Sequence, residues 1–453
     1  MRSAAKSSVD MLGGNVYRNM LIFALPLIAS GVLQQSFNSV DVAVVGRFVG
    51  HHALAAVGSN GPVINLIVNL FLGISVGVNV VIANYLGRSN NEGVKRAVAT
   101  ATALAAVSGV LLLVLGESVA APILVALGTP DEVLGDAVAY LRVYSLGMPF
   151  MMVYNFGAAI LRSFGDTRRP FYALVAGGFV NVGLNLFFVL VCGMGVSGVA
   201  LATVIANGVS AAFIYKVLSR EQEPCRVDPR LMTFNHGVEL GKILRIGVPA
   251  GLQGMVFSFS NVFIQSAVNS FGADAMAGSA AALNYELYGY FIISAFAQSV
   301  VAFTGQNNGA GNLRRCSEVL RAGLVMSLAS SVCFDLAAGL FAVGAVSIFT
   351  TVPEVITYAV TRIRCCTAFQ FIACSYEMAG ASLRGQGYSM TPTVITVIGT
   401  CLLRLVWVMT PLGLDGSFAR LLSVYPITWV VTGIAMLMAR VAVTRRLMRE
   451  TAR

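Results

Sequence analysis

The segment "LRSFGDTRRP" at residues 161–170 returns in outline as "LRGQGYSMTP" at residues 383–392. The arginine, the glycine and the proline of the first segment all recur 222 positions later, as Arg162 does in Arg384. One register held over half the chain predicts a protein built from two copies of the same unit. Within each copy the repeated phrase suits a helix exit, a tight turn and the first turn of the next helix.

The correspondence continues on both sides of these segments. "FALPLIASGV" at residues 23–32 resembles "RIGVPAGLQGM" at residues 245–255, and "NYLGRSNNEGVKRAV" at 84–98 resembles "GQNNGAGNLRRCSEV" at 305–319. The polar stretch 220–240 lies between the two copies. We therefore expect two pseudo-symmetric lobes that are joined by a charged linker.

Composition places both lobes in a membrane. The chain is 57% hydrophobic and 11% charged, whereas soluble domains carry about 25% charged residues. Apolar runs such as 171–192 approach the roughly 20 residues that cross a bilayer as a helix. Membrane β-barrels alternate apolar and polar residues, and these runs do not. The sequence predicts an all-α polytopic membrane protein.

We predict twelve transmembrane helices, near residues 18–46, 55–87, 93–116, 133–161, 170–191, 196–219, 241–270, 275–307, 315–349, 355–383, 391–412 and 417–442. The expected segments are an N-terminal tail (1–17), an N-lobe with helices 1–6 (18–219), a linker (220–240), a C-lobe with helices 7–12 (241–442) and a C-terminal tail (443–453).

The net charge of +10 follows the connections between these helices. Basic residues such as Lys95 and Arg96 gather in alternate loops and in both tails, while acids such as Asp131 and Glu132 gather in the others. Basic loops remain in the cytoplasm, so both termini are expected there, in the inner (cytoplasmic) membrane of a bacterium. The basic excess then reflects membrane topology rather than a surface for nucleic acid.

Two lobes of six helices enter the membrane from the same side, which makes the repeat a parallel one. Such repeats build transporters that bind substrate between their halves and expose it to each side in turn. The expected partners are lipid and small organic molecules, and we expect a monomer.

One stripe of polar side chains runs along the first predicted helix. Gln34, Asn38 and Asp41 are spaced at i, i+4 and i+7 and therefore share a helix face. An ionisable group inside a membrane span is costly and is functional by default. Pro26, earlier in the same helix, removes a backbone hydrogen bond and predicts a bend.

Three other helices carry polar groups at the depth of Asp41. Counted from the helix ends, Asp41, Asn185, Thr203 and Tyr140 all fall about 9–12 Å below the outer surface, and Asn181 lies one turn from Asn185. These residues predict a coupling site that takes up H⁺, or that binds Na⁺ at Asp41, Asn181, Asn185 and Thr203. The alternative is that the amides and the hydroxyl only join helices.

The second half lacks this cluster, because Ile264 stands opposite Asp41. Its spans instead contain Glu286, Asp335, Glu377 and Arg404, whose part in transport or packing the sequence leaves open. Glu286 and Arg404 fall near mid-membrane, where they could pair. The side chains assigned to a substrate cleft for organic cations are Gln34, Asn38, Glu286, Tyr285, Tyr288 and Met255.

Taken together, these phrases resemble the multidrug and toxic compound extrusion (MATE) transporters along nearly the whole chain. The resemblance rests on "FALPLIASGVLQQSFNSVDVAVVGRFVG", "GAAILRSFGDTRRP", "GVSGVALATVIAN", "FTGQNNGAGN" and "LRGQGYSMTP". It implies twelve helices in two six-helix lobes arranged in a V. It also implies export of cationic or amphipathic compounds in exchange for H⁺ or Na⁺, without a cofactor.

The resemblance also assigns residues. Asp41 matches the family's coupling aspartate, and Asn181 and Thr203 match further ligands, whereas Asn185 stands where many relatives have aspartate. Phe257 and Ala373 replace two acids of the NorM-like branch, so the pattern is closer to the DinF-like branch, with its coupling site in the N-lobe.

Two other classes of function are alternatives to an antiporter. A flippase for lipid-linked precursors would need a large cationic cavity, and basic residues inside the spans are few. An intramembrane enzyme would need paired catalytic groups. HExxH does not occur, and the single GxSxG match, "GISVG" at residues 73–77, has no histidine near it in the sequence, since all three histidines lie near predicted span ends or in loops. A P-loop is also missing from the sequence, which argues against ATP as the energy source.

Overall fold

A computed structural model describes residues 8–126, 129–227, 237–347, 350–410 and 417–451. Every regular element in these ranges is helical, as the long apolar runs predict.

Seven α-helices come from the first half of the chain. They are α1 (Val16–Val44), α2 (His51–Gly87), α3 (Asn91–Ala126), α4 (Asp131–Ser145), α5 (Met148–Ser163), α6 (Arg168–Leu186) and α7 (Gly195–Arg220). Two of them end in π-helical turns, α1 in Val45–Val49 and α6 in Phe187–Val191.

Ten further α-helices of different lengths follow. They are α8 (Gly237–Asn269), α9 (Ala273–Gly309), α10 (Leu313–Leu340), α11 (Ala342–Ser347), α12 (Pro353–Cys365), α13 (Ala373–Gly385), α14 (Met390–Thr396), α15 (Leu403–Met409), α16 (Phe418–Leu422) and α17 (Val424–Thr451). A 3₁₀ turn (Thr367–Ile372) connects α12 to α13, and a π-helical turn (Val397–Leu402) connects α14 to α15.

Ten helices in the described ranges are long and apolar enough to cross a membrane, and an eleventh span results if α4 and α5 count as one. These two helices meet at an angle of 47°, although the sequence predicts one straight span there. The predicted span 355–383 consists of three pieces, α12, the 3₁₀ turn and α13. Its charged residues and its helix break explain why it falls short of an uninterrupted apolar helix. The polytopic all-α class is confirmed.

The chain forms two compact units. Unit 1 contains Ala29–Gly251 with the described residues up to Asp10, and unit 2 contains Met11–Ile28 and the residues from Leu252 onward. The sequence instead divides the lobes at the linker 220–240. The first part of α1 therefore belongs to the second unit, and the first part of α8 belongs to the first.

The start of α1 belongs to unit 2 because its side chains pack there. Met20, Phe23 and Ala24 are fully buried. The ring of Phe23 meets that of Phe303 on α9 edge to face, with 5.6 Å between their centroids. Burying these apolar side chains against α9 ties Met11–Ile28 to the second unit.

In unit 1 the helices α2 and α8 cross at a small-residue contact. Gly73 and Gly77 on α2 face Gly247 and Gly251 on α8, and each pair is spaced as GxxxG. A Cβ on Gly73 would lie 2.1 Å from the backbone nitrogen of Gly251. Small residues at such positions let two membrane helices approach to backbone contact.

We expect Gly73→Ala to destabilise unit 1 by about 3 kcal/mol or more, since overpacking costs about 1–3 kcal/mol even where side chains can yield. Here the obstacle is backbone. Thermal unfolding of the detergent-solubilised protein measures the effect, with Gly58→Ala as control, because a Cβ on Gly58 of the same helix meets no atom within 4 Å. Equal melting temperatures for the two variants would contradict this account of the crossing.

Candidate functional site

Two adjacent glycines on α6 bring the helices of the site together. A Cβ on Gly177 would lie 2.8 Å from the backbone oxygen of Ala206 on α7, so α7 approaches closely on that side. A Cβ on Gly178 would lie 1.6 Å from the ring of Phe37 on α1. Helix α6 can therefore pack against α1 and α7 at once, and polar side chains further along the three helices meet.

These polar side chains form a hydrogen-bonded chain across unit 1. The Asn185 Nδ2 group donates to Asp41 Oδ1 and lies 3.3 Å from Asn181 Oδ1. The Asn181 amide donates to Thr203 Oγ1 at 3.2 Å, and that hydroxyl donates to the Val199 carbonyl at 3.1 Å. The structure thus joins Asp41, Asn185 and Thr203, which the sequence placed at one depth, through Asn181, which lies one turn from Asn185.

Burial and the type of ligand atom decide which coupling ion this cluster can bind. Asn185 is fully buried, Asn181 is 5% exposed, and Asp41 is partly buried. Asn185 Oδ1 has no hydrogen-bond partner among the described residues. A buried acceptor without a partner, beside a carboxylate, fits a hard monovalent cation or a proton, because oxygen ligands suit hard cations. The donor set therefore fits both candidate coupling ions.

Tyr140 lies beside the cluster without joining it. Its ring stacks on Tyr144 with 5.9 Å between centroids, and it is buried among apolar residues that include Val44 and Val199. The structure gives its hydroxyl no hydrogen bond to Asp41 within the described ranges. The predicted role of Tyr140 as a ligand of the coupling ion stays a prediction.

The residues assigned to a substrate cleft are placed differently. Gln34 and Asn38 are exposed on α1, whereas Met255 and Tyr288 are partly buried. Their roles as cleft residues stay predictions. Helix α1 continues through Pro26 as one helix, and the bend predicted there stays a prediction as well.

Glu286 forms an ion pair that the sequence did not predict. Arg362 Nε donates to one of its carboxylate oxygens at 2.7 Å, and Arg362 Nη2 donates to the other at 3.1 Å. The sequence allowed Glu286 to pair with Arg404, and this pairing is wrong. Equal depth in the membrane does not determine which helix faces contact each other. A helix-end count could not have shown that Arg362, near the end of α12, turns inward to 2% exposure.

Arg404 is fully buried in unit 2 and shares the ring of Tyr425 with Arg362, whose guanidinium carbon lies 5.8 Å from the ring centroid. The guanidinium carbon of Arg404 lies 4.4 Å from the ring centroid of Tyr425 and 5.4 Å from that of Phe257. Its nitrogens donate to Thr428 and Asn261 at 3.3 and 3.4 Å. Aromatic faces thus stabilise a cation that has no carboxylate partner in the described part of the chain.

The hydroxyl of Tyr285 has a hydrogen-bond partner on another helix. That hydroxyl donates to the Ala345 carbonyl of α11 at 3.0 Å, which joins α9 to α11. A tyrosine predicted to contact substrate therefore has a structural hydrogen bond, and its place in the cleft stays a prediction for the ring alone.

A known protein family matches each copy of the repeat separately. The MatE family model matches residues 26–187 and again residues 249–410. Among curated proteins, the probable multidrug resistance protein YoeA of Bacillus subtilis is 29% identical over 84% of this chain and 84% of its own length. The probable multidrug resistance protein NorM of Thermotoga maritima is 28% identical over 90% and 89%. The FAD transporter of Shewanella oneidensis is 25% identical over 95% of both.

Solved structures share the fold. A crystal structure of MATE in complex with MaL6 covers 98% of this chain and 99% of its own, with a TM-score of 0.89 and 23% identity. A MATE structure in the straight conformation gives a TM-score of 0.90 at 22% identity and the same coverage.

Proposed function

The chain belongs to the MatE family, and from this premise we propose that it is a secondary antiporter that exports cationic or amphipathic small molecules. H⁺ or Na⁺ moving inward drives the export by alternating access. The observation that supports this best is the hydrogen-bonded chain from Asp41 through Asn185 and Asn181 to Thr203. It ends on a carboxyl group inside a span, and such groups mark ion and proton pathways.

The state of Asp41 changes the contact between α1 and α6. As a carboxylate it accepts a charge-assisted hydrogen bond from Asn185, about twice as strong as a neutral one. A proton or Na⁺ removes that charge and weakens this tie. The protonated carboxyl also becomes a donor, and Asn185 Oδ1 is an acceptor without a partner. Ion binding is thereby coupled to the packing of α1.

The direct test is transport in proteoliposomes under a pH gradient alone and under a Na⁺ gradient alone, with ethidium as the cationic probe. We expect at least one gradient to drive ethidium against its concentration difference. The uptake should disappear when an ionophore collapses the same gradient. Failure of both gradients with correctly inserted protein would overturn the proposal.

An organic anion is the second candidate substrate. The relative named FAD transporter aligns over 95% of this chain. The buried arginines of unit 2 include Arg362, which pairs with Glu286, and Arg404, whose hydrogen bonds within the described residues go to Thr428 and Asn261. Competition by FAD against ethidium in the same liposomes separates the two classes. The lipid-precursor flippase proposed from the sequence gains no support from these contacts.

The remaining assignments are part of the same proposal. We place the protein in a bacterial inner membrane with both termini in the cytoplasm, as a monomer that needs no cofactor. The site in unit 1, with Asp41 as its acid, is what supports a relationship to the DinF-like branch.

A further inference from the structure

A second carboxyl group lies inside unit 2, away from the Glu286–Arg362 pair. Asp335 on α10 is 0% exposed, and neither of its carboxylate oxygens has a hydrogen-bond partner among the described residues. The backbone amide of Phe371 faces the carboxyl without reaching hydrogen-bond geometry. Such a group would be very costly as an unpaired anion.

A second buried hydrogen-bond acceptor, Gln370 Oε1, lies near Asp335. Gln370, in the 3₁₀ turn between α12 and α13, donates its amide to the Glu286 carbonyl at 3.0 Å. This bond leaves Gln370 Oε1 buried and without a partner. A Cβ on Gly289 of α9 would lie 2.6 Å from Gln370 Oε1 and 3.4 Å from Asp335 Oδ1. Both oxygens therefore face the space that this glycine leaves open.

The charged groups on α9, α12 and α13 that are not exposed pair with one another. On α9 and α12, Glu286 is paired with Arg362. On α13, Glu377 lies 3.7 Å from Arg384, and the Cys374 thiol lies 3.2 Å from the Ser327 hydroxyl. The 3₁₀ turn and α11 contain no titratable residue.

Asp335 and Gln370 Oε1 are therefore two buried acceptors beside the same glycine, and neither has a hydrogen-bond partner among the described residues. We propose that Asp335 is a second proton-binding site, at which the carboxylic acid donates its proton to Gln370 Oε1. Protonation converts Asp335 from an acceptor to a donor and removes its charge. The proton leaves to water when this part of unit 2 becomes hydrated. This inference rests on the proposed antiport, to which it adds a second coupled proton.

The transport test compares Asp335→Asn with wild type, because asparagine keeps the shape and cannot exchange a proton. At steady state in proteoliposomes, each coupled proton raises the attainable ethidium gradient tenfold per pH unit. We expect Asp335→Asn to lower that gradient tenfold at a difference of one pH unit. The matched control is Asp274→Asn, an exposed acid at the start of α9, which should leave it unchanged. An unaltered gradient in Asp335→Asn would overturn the second coupled proton.

An infrared measurement tests the proton without transport. At neutral pH the detergent-solubilised wild type should show a carboxylic-acid C=O band that Asp335→Asn removes and that Asp41→Asn retains. Absence of that band, or its appearance only after Na⁺ is withdrawn, would overturn the assignment to a proton. Failure of all gradient-driven transport in the wild type would instead overturn the proposed antiport, and the infrared band would still decide whether Asp335 binds a proton.

Discussion

Asp41→Asn will reduce ion-driven efflux to the level of protein-free liposomes while the protein stays folded. Asparagine keeps the size of the side chain and can still hydrogen bond with Asn185, but it can neither bind a proton nor neutralise Na⁺. The transport rate should therefore fall under either gradient. The melting temperature should move by only a few degrees, because the substitution removes a partly buried charge and creates no cavity.

The matched control is Asp136→Asn, which removes an exposed acid from α4 of the same unit. It should transport at the wild-type rate, since Asp136 is outside the hydrogen-bonded chain. Gradient-driven efflux at the wild-type rate in Asp41→Asn would show that the cluster in unit 1 does not couple the ion.

Arg362→Met will destabilise unit 2 by about 3–5 kcal/mol, the usual cost of removing one partner from a buried ion pair. Arg362 is 2% exposed and donates to both carboxylate oxygens of Glu286, so its loss leaves a carboxylate without its donors. Unfolding in detergent, followed by helical circular dichroism, measures the loss. Arg364→Met is the control, because Arg364 is exposed on the same helix.

The double variant Glu286→Gln with Arg362→Met should recover most of that stability, since it removes both charges. The difference between single and double variants isolates the pair from other effects of the substitutions. If Arg362→Met were as stable as the wild type, the pair would have no structural role. Glu286 would then be free to contact substrate, as the sequence analysis suggested.

Much of the first site could be read from the sequence. Helical spacing placed Gln34, Asn38 and Asp41 on one face, and counting from the helix ends brought Asn185 and Thr203 to the same depth. In a membrane this works well, because the thickness of the bilayer fixes where each helix begins and ends. The repeat of the sequence likewise predicted that the family model would match the chain twice.

The direction in which each side chain points around its helix could not be predicted from the sequence in the same way. Glu286 and Arg404 lie at similar depth, yet Glu286 faces Arg362 and Arg404 faces Tyr425. The sequence alone also could not show that Asp335 lacks a partner, since this depends on the 3₁₀ turn that directs Gln370. These outcomes depend on interhelical packing, which periodicity does not encode.

Both ends of the Asp41–Asn185 contact are followed by a wide helical turn. The π-helical turn Val45–Val49 begins four residues after Asp41, and Phe187–Val191 begins two residues after Asn185. A π turn contains one residue more than an α turn, and each residue advances an α-helix by about 100°. Moving that surplus residue along the backbone would rotate the stretch that it passes through about the helix axis. Side chains such as Arg47 could then exchange one environment for another while the helix stays wound.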